Sequence, residues 1–262
     1  MVISQPLVSV IIPTFNRGYC LAEAISSVLN HRGFELIVVD DGSTDNTQKI
    51  LQKFPDIRSI SLPENRGVSY ARNRGIEVAR GSLICFLDSD DLWEKGKLQA
   101  QVKWMQENSE CQVVYTDEKW IRNGVRVNPM NKHQKYSGDI FKQCLPLCIV
   151  SPSSIMLRKS LLDEVGFFDE SMPVCEDYDL WLRIAIRYPF KFLSDKLIVK
   201  RGGHDDQLSR KYWGMDRWRV YALEKLLRGG DLNPQQRIWV IEMLIKKSDV
   251  LIQGFSKRGK SE

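Results

Sequence analysis

No stretch of the 262-residue sequence approaches the ~20 consecutive apolar residues needed to span a bilayer. The N-terminus has no basic segment leading into an apolar one, so no signal peptide is expected. Cysteine is sparse, with Cys20, Cys85, Cys111, Cys144, Cys148 and Cys175, and no Cys-x-x-Cys pair occurs. Several of the six lie in apolar runs, which reads as buried free thiols in a reducing compartment and predicts a cytoplasmic protein. Neither sign of charge dominates: 38 Lys and Arg oppose 33 Asp and Glu for a net +5, mixed along most of the chain. That balance excludes a dedicated nucleic-acid binder. Internal repeats and low-complexity tracts are absent, and the apolar and charged fractions, 43% and 27%, are those of a folded protein rather than a disordered one. Glycine is scarce where a dinucleotide-binding loop would need it: after the first strand signal stands Pro13-Thr14-Phe15-Asn16-Arg17 with Gly18 alone. The missing Gly-x-Gly-x-x-Gly excludes a dinucleotide-dependent oxidoreductase and weakens the case for a nucleotidyltransferase.

What is present is an alternation of strand and helix signals over the first hundred residues. Val8 to Ile12 is a buried strand closed by Pro13, a helix follows from Leu21 to Asn30, and Leu36 to Val39 is a second buried strand ending in Asp40-Asp41-Gly42-Ser43. Thr44 or Asp45 can cap a helix running to Phe54. Arg58 to Leu62 is a weaker strand, Val68 to Arg80 a helix, and Leu83 to Leu87 a strand ending in Asp88. This spacing predicts βαβ units, a parallel sheet and an α/β fold of one large domain or two packed lobes. Downstream the pattern predicts a helix over Lys97 to Asn108, a strand over Gln112 to Trp120 with a hairpin turn at Asn123-Gly124, strands at Ser153 to Arg158 and Lys196 to Arg201, and a helix over Tyr178 to Ile186. After Tyr212 the chain reads as two helices. Met215, Trp218, Ala222 and Leu226 share one face of the first, and Gly229-Gly230 ends it. Asn233-Pro234-Gln235-Gln236 caps the second, whose apolar stripe is Ile238, Ile241, Ile245 and Ile252. The basic residues Lys246, Lys247, Lys257, Arg258 and Lys260 read plainly as a solvated helix face and tail, or more sharply as attraction to an anionic membrane surface or an anionic acceptor.

Polar residues cluster just beyond the ends of three strands: Thr14 and Asn16, then Asp40 and Asp41, then Asp88, Asp90 and Asp91. In open α/β sheets that edge binds ligands. Asp88-Ser89-Asp90 sets two carboxylates one residue apart, a pattern that suits a hard divalent cation sharing its shell with substrate phosphates, although a helix cap explains it equally in isolation. Asp41 is placed for a nucleobase or ribose, or for simple capping. Arg72 is placed for a base or phosphate, or for a surface salt bridge.

The runs Val8-Ser9-Val10-Ile11-Ile12-Pro13-Thr14-Phe15-Asn16, Val38-Val39-Asp40-Asp41-Gly42-Ser43-Thr44-Asp45, Asn65-Arg66-Gly67 with Ala71-Arg72-Asn73, and Phe86-Leu87-Asp88-Ser89-Asp90-Asp91 stand in the order and spacing of glycosyltransferase family 2. Gly166-Phe167-Phe168-Asp169-Glu170 and Glu176-Asp177-Tyr178-Asp179-Leu180-Trp181-Leu182-Arg183 also resemble that family, so the likeness covers about residues 7–205. It implies a GT-A fold, a Rossmann-like, mostly parallel sheet flanked by helices. Residues 1–110 would form the nucleotide-sugar half, 111–211 the acceptor and catalytic half, and 212–262 a C-terminal helical extension. It also implies an inverting, metal-dependent glycosyltransferase using a nucleotide-diphosphate sugar, with UDP the expected nucleotide.

Carried over by residue, the resemblance assigns donor binding to Pro13, Thr14, Asn16, Asp41, Asn65, Gly67, Arg72, Asp88 and Ser89. A Mn²⁺ or Mg²⁺ ion falls to Asp90 and His204, and the general base is Asp177, with Glu176 second. Trp181, Trp213 and Trp218 are candidates for stacking on sugars or, for at least two of them, for core packing. The acceptor expected is a glycan, a lipid-linked glycan or a protein. The C-terminal helices are expected to pack on the acceptor side or mediate a homodimer, and contact with the inner face of a membrane is kept as a second reading of the basic end. A non-catalytic sugar-nucleotide-binding protein is the competing class, and it would be expected to lack Asp90 or Asp177.

Overall fold

The computed structural model describes residues 7–204, 212 and 214–257. The chain runs β1 (Val8–Thr14), α1 (Leu21–Leu29), β2 (Phe34–Asp40), α2 (Thr47–Leu51), β3 (Arg58–Ser61), α3 (Val68–Val78), β4 (Leu83–Phe86), β5 (Leu92–Trp93) and α4 (Lys97–Glu107). There follow β6 (Val113–Arg122), β7 (Val125–Val127), α5 (Phe141–Cys144), β8 (Ile155–Arg158), α6 (Lys159–Val165), α7 (Glu176–Ala185) and β9 (Phe190–Gly202). Two helices complete it, α8 (Met215–Gly229) and α9 (Pro234–Lys257).

One sheet carries both halves, in the order β3-β2-β1-β4-β8-β6-β9-β5, with β7 folded back on β6. The long pairings, β1 with β2 and β6 with β9, are parallel, while β8 lies antiparallel between β4 and β6. The central strands are covered on both faces. Ile11, Ile37 and Phe86 pack with α3 and α7 residues on one side, and Val10, Ile12 and Val38 pack with α1 and α4 residues on the other. Burial on both faces is why these strands read as unbroken apolar runs.

Most predicted elements appear, with informative differences. β1 does not close at Pro13 but runs to Thr14. Ile11 accepts from Leu87 N–H, on the β4 side, and Pro13 points the same way where β4 has already ended, so no ladder bond is lost by the missing N–H. The helix after β2 has only five residues; Asp45 Oδ1 accepts from Thr47 N–H at 2.9 Å near its start. Residues 152–154 form a 3₁₀ turn before β8. The last strand starts earlier than its β-branched core suggests, at Phe190, because β6 offers it a long parallel partner.

At the C-terminal end, Gly230 takes φ 78°, ending α8 as expected. Asn233 and Gln236 cap each other reciprocally: Asn233 N–H donates to Gln236 Oε1 at 3.0 Å, and Gln236 N–H to Asn233 Oδ1 at 2.8 Å. α8 turns Ala222, Leu223 and Leu226 inward, with Met215 and Trp218 packed beside them.

The apolar stripe of α9 faces outward: Ile238, Ile241, Ile245 and Ile252 are 50%, 39%, 57% and 61% exposed. The helix has a second apolar face, Trp239, Val240, Met243 and Leu244, and that one meets the body. Lys247 fixes the rotation. It is buried, not solvated, and its Nζ donates to Pro146 O and Asp216 Oδ1, each at 2.8 Å. The tail residues Arg258 and Lys260 lie outside the described residues, as does Trp213. Among the described residues no helix is long and apolar enough to cross a membrane.

Candidate active site

Three strand ends meet at one cavity. The segment after β1, Asp41 at the exit of β2 and the Asp88 to Asp91 exit of β4 line a cleft of about 1040 Å³, closed from the second half by Glu176, Asp177, Lys200 and Arg201. Pro13, Thr14, Asn16, Asp41, Asn65, Gly67, Arg72, Asp88, Ser89, Asp90, Glu176 and Asp177 all stand on its wall. His204 does not; it lines an adjoining cavity of about 340 Å³ that shares Asp90 and Arg201 with the first.

Asp41 organises the cleft wall beyond β2. Its Oδ1 accepts from Arg66 N–H at 2.9 Å, and its Oδ2 from Gly67 N–H at 2.8 Å and Asn65 Nδ2 at 2.9 Å. Three of the roughly four acceptor positions of the carboxylate are thereby used. Burial pushes Asp41 above the usual carboxylate range, against the pull of those amides. Gly67 takes φ 97° at the start of α3, a conformation a side chain disfavours. Gly42 takes φ 76° and lies so close to Glu64 that a Cβ would sit 2.5 Å from its carbonyl carbon. Both glycines let the 64–67 loop wrap Asp41. Asn16, at φ 52°, plays a similar part: its Oδ1 accepts from Thr44 N–H at 2.8 Å and Asp45 N–H at 3.3 Å, locking the β1 exit onto the β2 exit.

Arg72 joins the halves. Its guanidinium is buried, with Nη1 2.5 Å from Glu176 Oε1 and Nη2 2.7 Å from Asp88 Oδ1, which overturns the surface-salt-bridge reading. Burial works against its charge, but Asp88 and Glu176 outweigh it and raise the pKa. Burial drives Glu176 up to about 7, opposed by Arg72 and reinforced by Asp177. Next to Arg72, Asn73 Nδ2 donates to Phe168 O and Glu170 Oε1, both at 2.9 Å, and Asn73 Oδ1 accepts from Phe168 N–H at 3.1 Å. The Arg72-Asn73 pair thus binds the Gly166 to Glu170 loop and the head of α7.

The β4 exit is braced from behind. Ser153 Oγ donates to Asp91 Oδ2 at 2.7 Å and accepts from Asp88 N–H at 3.1 Å. Arg201 N–H donates to Asp91 Oδ1 at 2.9 Å, and its Nε to Asp90 O. Asp91 is buried and held well above the usual range by burial and by its acidic neighbours, so its role is to fix the turn. Asp90 stands beside it on the cleft wall, with Oδ2 2.9 Å from His204 Nε2. Burial and then Asp88 raise the Asp90 carboxyl above its usual range, against the pull of Arg17 and His204. A carboxylate and an imidazole at that separation are the donor types a Mn²⁺-type cation accepts. Among the described residues no three His, Cys, Asp or Glu side chains gather into a metal cage, so two protein ligands would leave the other positions to phosphate oxygens and water.

Asp177 is half-buried at the first turn of α7, after Cys175 in the left-handed region at φ 62°. Its Oδ1 accepts from Tyr178 N–H at 2.7 Å, and its Oδ2 is contacted by Cys148 Sγ at 3.3 Å. Burial and then Asp177 hold the Cys148 thiol well above its usual range, so it stays protonated and donates. Cys148, Lys200 and Arg201 were not foreseen as site residues. The last two had a readable signal, their place at the end of a strand, but Cys148 sits in an irregular loop with none. Trp181 is core: it is 1% exposed and its indole donates to Val150 O at 3.0 Å. Trp218 lines the cleft.

Residues 9–166 match the family model described as Glycosyl transferase family 2. An uncharacterized glycosyltransferase of Rickettsia felis is 35% identical over 214 residues, 80% of this chain, which spans only 33% of that relative's length. The Escherichia coli UDP-Glc:alpha-D-GlcNAc-diphosphoundecaprenol beta-1,3-glucosyltransferase WfgD is 35% identical over 182 residues, covering 68% of this chain and 69% of that one. In fold, the chain is similar to S. aureus TarS 1-349 in complex with UDP-GlcNAc, with TM-score 0.77 and 23% identity over 95% of this chain and 75% of that one. The fold is therefore of the GT-A type, and the chain belongs to glycosyl transferase family 2.

Proposed function

We propose that this chain transfers a sugar with inversion from a nucleoside-diphosphate donor, UDP above others, to a glycan acceptor, with Asp177 as the general base. The observation that carries the reading is the Glu176–Arg72–Asp88 bridge, which ties the head of α7 to the β4 exit so that Asp177 and Asp90 line one cleft. UDP is favoured because UDP-Glc stands in the name of the E. coli relative and UDP-GlcNAc is bound in the S. aureus structure. The same relative, which acts on a diphosphoundecaprenol-linked sugar, supports a lipid-linked glycan as acceptor.

In this reading residues 1–110 hold the donor, 111–211 the acceptor and base, and 212–262 form the helical extension. Pro13, Thr14 and Asp41 border the base, Asp41 with its remaining acceptor position. Asn16, Asn65 and Gly67 shape that pocket, while Arg72, Asp88 and Ser89 hold the ribose and diphosphate side. Asp90 and His204 would hold a Mn²⁺ or Mg²⁺ ion, which as a Lewis acid neutralises charge on the leaving diphosphate. An alcohol is a poor nucleophile, so a carboxylate must accept its proton as the new bond forms. Glu176 is engaged by Arg72 and buried, whereas Asp177 is half-buried on the cleft wall, which favours Asp177 for that role. The Tyr178 amide and the Cys148 thiol orient its carboxylate.

The test is transfer from UDP-sugars by wild type and Asp177→Asn, with nucleotide affinity measured on both. Loss of transfer at unchanged affinity supports the assignment; a variant that transfers normally removes it.

A further inference from the structure

The outward face of α9 is built to meet another helix. Ile238, Ile241, Ile245 and Ile252 follow one another at intervals of three, four and seven residues, the spacing of alternating a and d positions in a coiled coil, with Ser248 at the intervening d position. All four isoleucines are exposed, while the opposite face is held to the body by Val240 and by the buried Lys247. At 1.5 Å per residue the seam runs about 21 Å along the helix.

We propose that this face pairs with the same helix of a second copy, in parallel. The flanking charges select that occupant and that direction. In this register Arg237 is a g position, and Glu242 and Asp249 are e positions, all three exposed. A parallel pair sets each g beside the e five residues on in the partner, so Arg237 meets Glu242 of the partner subunit. An antiparallel pair sets e against e and brings four carboxylates together. An anionic lipid surface is disfavoured by the same carboxylates, which border the seam and would enter the headgroup layer.

The experiment is sedimentation equilibrium on the full chain over a wide concentration range. Comparators are Ile241→Asn/Ile245→Asn, Arg237→Glu and the swap Arg237→Glu/Glu242→Arg, with a thermal melt of each to confirm folding. The wild type is expected to reach twice the chain mass and the isoleucine double variant to remain monomeric. Arg237→Glu should weaken the dimer and the swap should restore it. The proposal is overturned by a wild type monomeric throughout, by a folded isoleucine double variant that still dimerises, or by a swap that does not recover. Monomeric wild type that co-sediments with phosphatidylglycerol vesicles would overturn it as well and give the face to lipid.

Discussion

At the rim of the cleft, acidic side chains are answered by donors from other elements: Asp41 by the 65–67 loop, Asp88 by Arg72 of α3, Asp91 by Ser153 and by Arg201 of β9. On α9 the arrangement is reversed, with four isoleucines facing outward and a lysine drawn inside. The rim is over-determined, since its groups are fixed by a sheet that permits one register. A surface helix is fixed only by its rotation, and α9 takes its rotation from an ion pair between Lys247 and Asp216. Substitutions at the rim should therefore separate chemistry from stability sharply, and substitutions on the α9 face should alter neither.

The largest separation is expected at the base. Asp177→Asn should lower kcat by roughly 10²–10⁴ with nucleotide affinity unchanged, read from steady-state transfer and calorimetry together. Next comes the bridge. Arg72→Ala leaves two carboxylates unpartnered, one of them buried, and should lose about 3–5 kcal/mol in denaturant unfolding. Ile241→Asn on the outward face should stay within about 0.5 kcal/mol in the same assay on monomeric protein. Equal losses at the two positions would erase the contrast between rim and helix.

The third expectation concerns pH. With Glu176 raised from 4.5 to about 7, the folded chain keeps a proton there that the unfolded chain releases. That contribution is full below pH 4.5 and is lost as pH rises through about 7. Relative to Glu176→Gln, which cannot ionise, wild type should lose on the order of 3 kcal/mol across this window. A difference that does not vary with pH would mean that Arg72 keeps Glu176 ionised throughout. A smaller change than at Arg72 or Glu176 is expected at the α9 cap: Asn233→Ala should cost about 1 kcal/mol and leave nucleotide binding untouched.

Much of the rim was legible because strand ends are punctuated. An apolar run that stops at Asp40 or Asp88 marks both a strand and the edge it opens onto, and Arg72 was visible from its place in α3. Its burial was not, since the carboxylate it meets at Glu176 comes from more than a hundred residues away. Asp91 looked equivalent to Asp88 and Asp90, and only Ser153 and Arg201, brought by distant elements, separate its role from theirs. For α9, periodicity identified a helix, its cap and the stripe of Ile238, Ile241 and Ile245, but not the face of Val240, Met243 and Leu244 that meets the body. Nothing local chose between them; the choice rests on Pro146 and Asp216, which accept from Lys247.

The proposed function makes the cleft between Asp41, Asp90 and Asp177 a metal-assisted nucleotide-sugar site. The most direct test is calorimetric titration of UDP, GDP and dTDP, with and without Mn²⁺, into wild type and Asp90→Ala. UDP is expected to bind with an affinity that Mn²⁺ increases, and the increase is expected to disappear in the variant. A folded wild type that binds none of the three, or binds UDP equally with and without the ion and with and without Asp90, would contradict it.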